Sequence, residues 1–130
     1  MLKIVSISDK EYSAIWRLAK GTEKYNDNLD YKVLACHPKR PDDAQLKAIE
    51  RECKDADLVD FQYYKTAFSL MERYPWLKEK KRIIAIHNPY CITESDWNMF
   101  DAVVANNQSI HKDLESITNS HLELIPNTVD

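Results

Sequence analysis

Glycine is nearly missing from this chain. Gly21 is the only one among 130 residues, where an average soluble protein carries about 7%. Phosphate-cradling loops need several glycines so that backbone N–H groups can approach the ligand. Neither a Walker-type loop nor a G-x-G-x-x-G turn is present, so no nucleotide is expected by either route and no cofactor is expected. Positive charge is not in excess either. The formal net charge is -3, which argues against nucleic acid or an anionic membrane as partner.

Long apolar runs are absent too. None approaches the roughly 20 residues of a membrane span. The opening M-L-K-I-V-S-I-S lacks the basic region, apolar region and cleavage site of a signal peptide. Cysteine is sparse: Cys36, Cys53 and Cys91 are odd in number and never closely spaced. That pattern fits free thiols in a reducing cytosol, so a cytoplasmic location is expected. The histidines His37, His87, His111 and His121 have no metal-ligand spacing with the cysteines, and no metal is expected.

What is present suits one soluble domain. Hydrophobic residues make up 44% and charged residues 30%, a globular balance at a length that buries a real core. Branched residues mark strands over Leu2–Ile7, Tyr31–Cys36, Asp57–Phe61, Ile83–Ile86, Asp101–Ala105 and Leu122–Ile125. Helical spacing of apolar residues marks Glu11–Tyr25, Pro41–Lys54, Lys65–Tyr74 and Asn107–Ile117. A Thr-x-x-Asp start predicts a short helix over Thr93–Phe100. The basic cluster Lys78–Arg82 reads as a solvated loop before a strand. Six strands alternating with helices predict a single Rossmann-like three-layer α/β domain over 1–130, with a mostly parallel sheet of about six strands.

The central stretch is R-I-I-A-I-H-N-P-Y, Arg82 to Tyr90. Ile83–Ile86 is apolar on both faces, as a covered parallel strand requires. His87 follows at once, just beyond the carboxyl end of the strand, where open parallel sheets collect ligands.

Four segments resemble one family. K-D-A-D-L-V-D-F-Q is similar to its third-strand block, and R-I-I-A-I-H-N to its strand ending in His. F-D-A-V-V-A-N-N-Q-S-I-H-K-D-L is similar to its "D-A-V-I-A-V-S" strand and helix, and L-I-P-N-T-V-D to its "I-P-N-G-V-D" block. Together, in this order, they resemble the retaining glycosyltransferases of family 4, which have the GT-B architecture. The resemblance implies the N-terminal, acceptor-side half of such an enzyme, without the donor-binding C-terminal domain. A sugar acceptor is then the implied partner, with a nucleotide sugar in the full-length enzyme. The chain alone is expected to be inactive. Ser8 to Ser13 stands where most members carry a Gly-Gly turn, Gln62 where many have His or Asp, and Thr128 where Gly is usual.

His87 matches the family's strand-end histidine, which contacts the transferred sugar, and is the candidate catalytic group. A neutral imidazole there can exchange hydrogen bonds with a sugar hydroxyl. The plain alternative is a histidine satisfying local backbone. Asp9, Asp60, Gln62, Asn88, Tyr90 and Asn106 fall just after strands on this reading. They are candidate acceptor-binding residues, or ordinary turn and cap residues. A second function class is a protein-binding module, a natural relative or a re-surfaced scaffold. It would use a patch of Phe68, Met71, Tyr90 and Met99, since aromatics and methionine are enriched in interfaces. Core packing is the alternative for each.

Overall fold

The computed structural model describes residues 2–25, 29–87, 97–118 and 120–125. Along them run β1 (Lys3–Ser8), α1 (Ala14–Tyr25), β2 (Asp30–Ala35), α2 (Asp43–Lys54), β3 (Leu58–Phe61) and α3 (Tyr64–Arg73). A 3-10 helix, Pro75–Glu79, precedes β4 (Arg82–Ile86). A single 3-10 turn, Trp97–Met99, precedes β5 (Ala102–Ala105), α4 (Gln108–Glu115) and β6 (His121–Leu124). The strands form one sheet in the order β2-β1-β3-β4-β5-β6, and every pairing is parallel. This is a Rossmann-like α/β fold, as the alternation of elements predicts.

The strand order decides where the helices go. The chain crosses from β1 to β2 in one direction and returns from β2 to β3 in the other. The β3–β4 and β5–β6 connections continue that second direction. Right-handed crossovers then place α1 on one face and α2, α3 and α4 on the other. On the three-helix face Val59, Phe61, Ile84, Ile86, Val103 and Ala105 are sealed into one core with Ile49, Leu70, Ile110 and Leu114. Their strand neighbours Ile83, Ala85 and Val104 point to the α1 face and stay half-buried.

Helix starts differ from the sequence reading by a few residues, for local reasons. α1 begins at Ala14 and not Glu11. Ser13 Oγ accepts the Trp16 N–H at 3.0 Å, and Tyr12 has a φ of 66°, which no right-handed helix tolerates. α2 begins at Asp43, so Pro41 lies outside it. Asp42 is the cap, accepting from the Ala44 N–H at 2.7 Å, with Gln45 completing a capping box. Asn107 caps α4 by accepting from the Ile110 N–H at 2.9 Å. The Thr93–Asp96 start lies outside the described residues.

The basic cluster is solvated only in part: Lys78 and Lys81 are exposed, whereas Lys80 and Arg82 fold back onto backbone carbonyls. Leu77 in the 3-10 helix is fully buried. The Arg82 guanidinium donates to the carbonyls of Leu77 and Lys80 at 3.1 and 3.0 Å and also to that of Met99. Lys80 Nζ donates to the Lys54 carbonyl at 2.6 Å. Spare cationic donors fasten turns whose carbonyls lack helical partners. At the sheet's β2 edge, Glu23 Oε2 accepts the outward Val33 N–H at 2.6 Å, which blunts an otherwise open strand edge.

Among the described residues no helix is long and apolar enough to cross a membrane.

Candidate functional site

On the α1 face, over the carboxyl halves of β3, β4 and β5, the sheet opens into a cleft of about 340 Å³. Strand register explains its lining. Asp60 is level with Ile83, and Ala85 with Val104. Two residues on, Gln62, His87 and Asn106 emerge on the same face, because side chains alternate with a period of two. Tyr31 of β2 and Thr22 of α1 close one side, and Ile125 the other. The floor is apolar and the rim carries amides, an imidazole and a carboxylate.

Asp60 lies inside β3, not after it, and keeps only 8% of its surface. Its Oδ2 accepts three donors: Gln62 Nε2 at 2.6 Å, the Tyr31 hydroxyl at 3.3 Å and the Ser6 hydroxyl at 3.4 Å. No described residue donates to Oδ1. Burial pushes the carboxyl up to about 6, against the pull of these three donors. Burial first, and the nearby Asp60 charge second, raise the Tyr31 phenol.

Gln62 relays this order to His87. Its nitrogen is committed to Asp60, so its oxygen faces His87 Nε2 at 3.1 Å. That pairing requires the imidazole to carry its proton on Nε2. Nδ1 is then an acceptor, buried and without a hydrogen-bond partner among the described residues. Burial lowers the His87 pKa, and the Asp9 carboxylate opposes the shift without reversing it. The ring is therefore neutral at physiological pH. Asn106 Nδ2 donates to the His87 carbonyl at 3.2 Å, tying β5 to the end of β4.

The structure thus gathers Asp60, Gln62, His87 and Asn106 in one cleft. Asp9 is not in its lining. Asp9 accepts the Ser13 hydroxyl below α1 and reaches the cleft only through its charge on His87. Asn88 and Tyr90 lie outside the described residues. Tyr31, Ser6 and Thr22 were not anticipated. A polar residue inside each of two apolar strands, Ser6 in β1 and Asp60 in β3, is the sequence signal that finds the buried end.

The expected protein-contacting patch does not form as drawn. Met71 keeps 1% exposure and belongs to the core, because α3 turns it toward the sheet with Ala67 and Leu70. Phe68 packs edge-on to Phe100 at 5.6 Å and against Trp97 at 6.1 Å. Met99 is partly buried against the same cluster. Periodicity within α3 alone places Phe68 off the core face, but the Trp97–Met99 turn extends the core to meet it. Tyr90 lies outside the described residues.

Cys36 and Cys53 are buried free thiols, and burial pushes them up to about 11 and about 12. Neither acts as a nucleophile in such surroundings. Among the described residues no group of three His, Cys, Asp or Glu side chains is placed to hold a metal.

Comparison of the chain with protein-family models, curated proteins and solved structures finds no match.

Proposed function

We propose that the chain is the acceptor-side domain of a GT-B retaining glycosyltransferase and that the α1-face cleft binds a sugar acceptor. One observation carries the reading. The strand-end His87 of β4, with Asp60 and Gln62 of β3 and Asn106 of β5, lines one cleft with an apolar floor. Sugars present hydroxyl edges and apolar C–H faces, and amides, an imidazole and small aliphatic side chains suit both. His87 acts as a neutral group that orients a hydroxyl, held in one tautomer by Gln62. Asn106 fixes the backbone that carries it.

The same lining argues against donor binding by these residues. Among the described residues no lysine or arginine lines the cleft, and a diphosphate requires basic groups or a glycine-rich helix start. Transfer from a nucleotide sugar therefore belongs to a two-domain enzyme, and this chain alone turns nothing over.

Titration of ¹⁵N-labelled chain with glucose and mannose, followed by amide chemical shifts, tests the reading. Shifts should cluster on β3–β5 and weaken at least several-fold in His87→Ala. An unchanged affinity in a folded His87→Ala variant removes His87 from the site. Shifts elsewhere, or none, overturn the reading.

A further inference from the structure

The cleft carries a buried carboxylate whose negative charge has no cation beside it among the described residues. Every described donor to Asp60 is neutral: a serine hydroxyl, a phenol and an amide. All three fall on Oδ2, which leaves Oδ1 as the oxygen without a donor on a residue that lines the cleft. The other titratable groups there are the Tyr31 phenol and the His87 imidazole. Both are neutral near pH 7, since burial moves the phenol up and the imidazole down. The further charges that act on these lining groups, Asp9 on His87 and Glu23 on Tyr31, are also negative. Residues 26–28, 88–96, 119 and 126–130 contain no lysine or arginine and four more acids.

A carboxylate held out of water is costly unless a cation accompanies it. A neutral hydroxyl from a ligand fills the hydrogen-bond vacancy at Oδ1 but leaves the charge uncompensated. An ammonium does both, and charge-assisted hydrogen bonds are roughly twice as strong as neutral ones. We propose that the cleft selects a sugar or polyol bearing a primary amine, its ammonium seated on Asp60 Oδ1 and its hydroxyls against Gln62 and Asn106. The inference rests on the sugar-site reading and narrows it from sugars in general to amino sugars. It also sets the sign of selectivity: a sugar phosphate is repelled, and an N-acetylated amine loses the advantage of the free one.

The test compares glucosamine, N-acetylglucosamine and glucose by amide chemical-shift titration at pH 7. Glucosamine should bind about tenfold tighter than the two neutral sugars, the gain of one charge-assisted contact. In Asp60→Asn the preference for glucosamine over glucose and N-acetylglucosamine should vanish. That variant preserves the buried contacts, because the amide oxygen can take the Oδ2 position with its three donors and the NH2 group can face the cleft. A pH series on the unaltered chain reads the same point without a substitution. The preference should fade between pH 7 and 5, as Asp60 takes up its proton, whereas glucose affinity does not follow it. If all three sugars bind equally, or if the preference survives in Asp60→Asn, the amine seat is wrong and the sugar site stands. If no sugar binds, the sugar site itself falls and takes the amine seat with it.

Discussion

Gln62 donates its amide hydrogen to Asp60 Oδ2 over 2.6 Å. That one contact orients the amide, and the amide orients the imidazole beyond it. It also makes the cleft a coupled system in which a buried acid with a pKa of about 6 is linked through Gln62 to a half-buried neutral histidine. The two groups pull stability in opposite directions with pH.

For Asp60 the folded-state pKa of about 6 lies above the ordinary 3.8. The folded chain therefore holds more protons across that interval, and this group's contribution falls as pH rises from about 4 to 6. That rise in pKa corresponds to about 3 kcal/mol. For His87 the folded pKa is lowered, so its contribution is present above about 6.5 and is lost as pH falls below that. Asp60→Asn removes the first slope and leaves the second. Urea unfolding at pH 5 and 7 should show the variant gaining more stability with rising pH than the unaltered chain. Parallel profiles would mean that Asp60 is not held out of water.

Gly21 sits inside α1, and a Cβ built there meets nothing within 4 Å. Its φ is not in the left-handed region, so nothing in the fold requires glycine. Gly21→Ala should stabilise by about 0.5–1 kcal/mol, because alanine loses less backbone entropy on entering a helix. Thermal unfolding measures it directly.

Tyr12 bears the one positive φ among the described non-glycine residues. It sits in the turn after β1, and its ring tilts against Trp16 at 5.0 Å. Left-handed backbone costs a residue with a Cβ about 1–2 kcal/mol. Comparing Tyr12→Gly with Tyr12→Ala isolates the backbone term, since both lose the ring. The glycine variant should be the more stable by about 1 kcal/mol in denaturant titration.

Leu77 is the buried anchor of the 3-10 helix before β4. Leu77→Ala should cost about 2–5 kcal/mol. A cost below about 1 kcal/mol would return the segment to the solvated loop that its charge suggests.

The thiols of Cys36 and Cys53 should resist iodoacetamide in the folded chain at pH 8 and react on unfolding, with peptide mass spectrometry reading each site. Their pKa values of about 11 and 12 leave almost no thiolate at that pH.

Much of the fold is legible in residues 1–125 without coordinates. Each strand announces itself as a short branched run, each described α-helix as an apolar stripe of period 3.6, and the alternation of the two implies a parallel sheet. The strand-end position of His87 follows from the same pattern. These signals are local, and local chemistry writes them.

The site is different. No local pattern brings Tyr31 of β2 to Asp60 of β3, because β1 lies between them in the sheet and the contact depends on strand order. Nothing in α3 by itself tells that Phe68 meets Trp97 and Phe100, since the core it joins is built by a turn some thirty residues later. Asp60 falls within the Asp57–Phe61 strand that the sequence marks, but nothing local sets it apart from an ordinary polar candidate. Only the parallel register with Ser6 and Ile83 shows that it is a buried acid on the α1 face. The sequence by itself determined the elements, their order and the strand-end histidine, because those rest on neighbours in the chain. The tertiary structure decided which face was left open, which carboxylate was buried there and which amide links it to the imidazole. Those depend on crossover handedness and strand register.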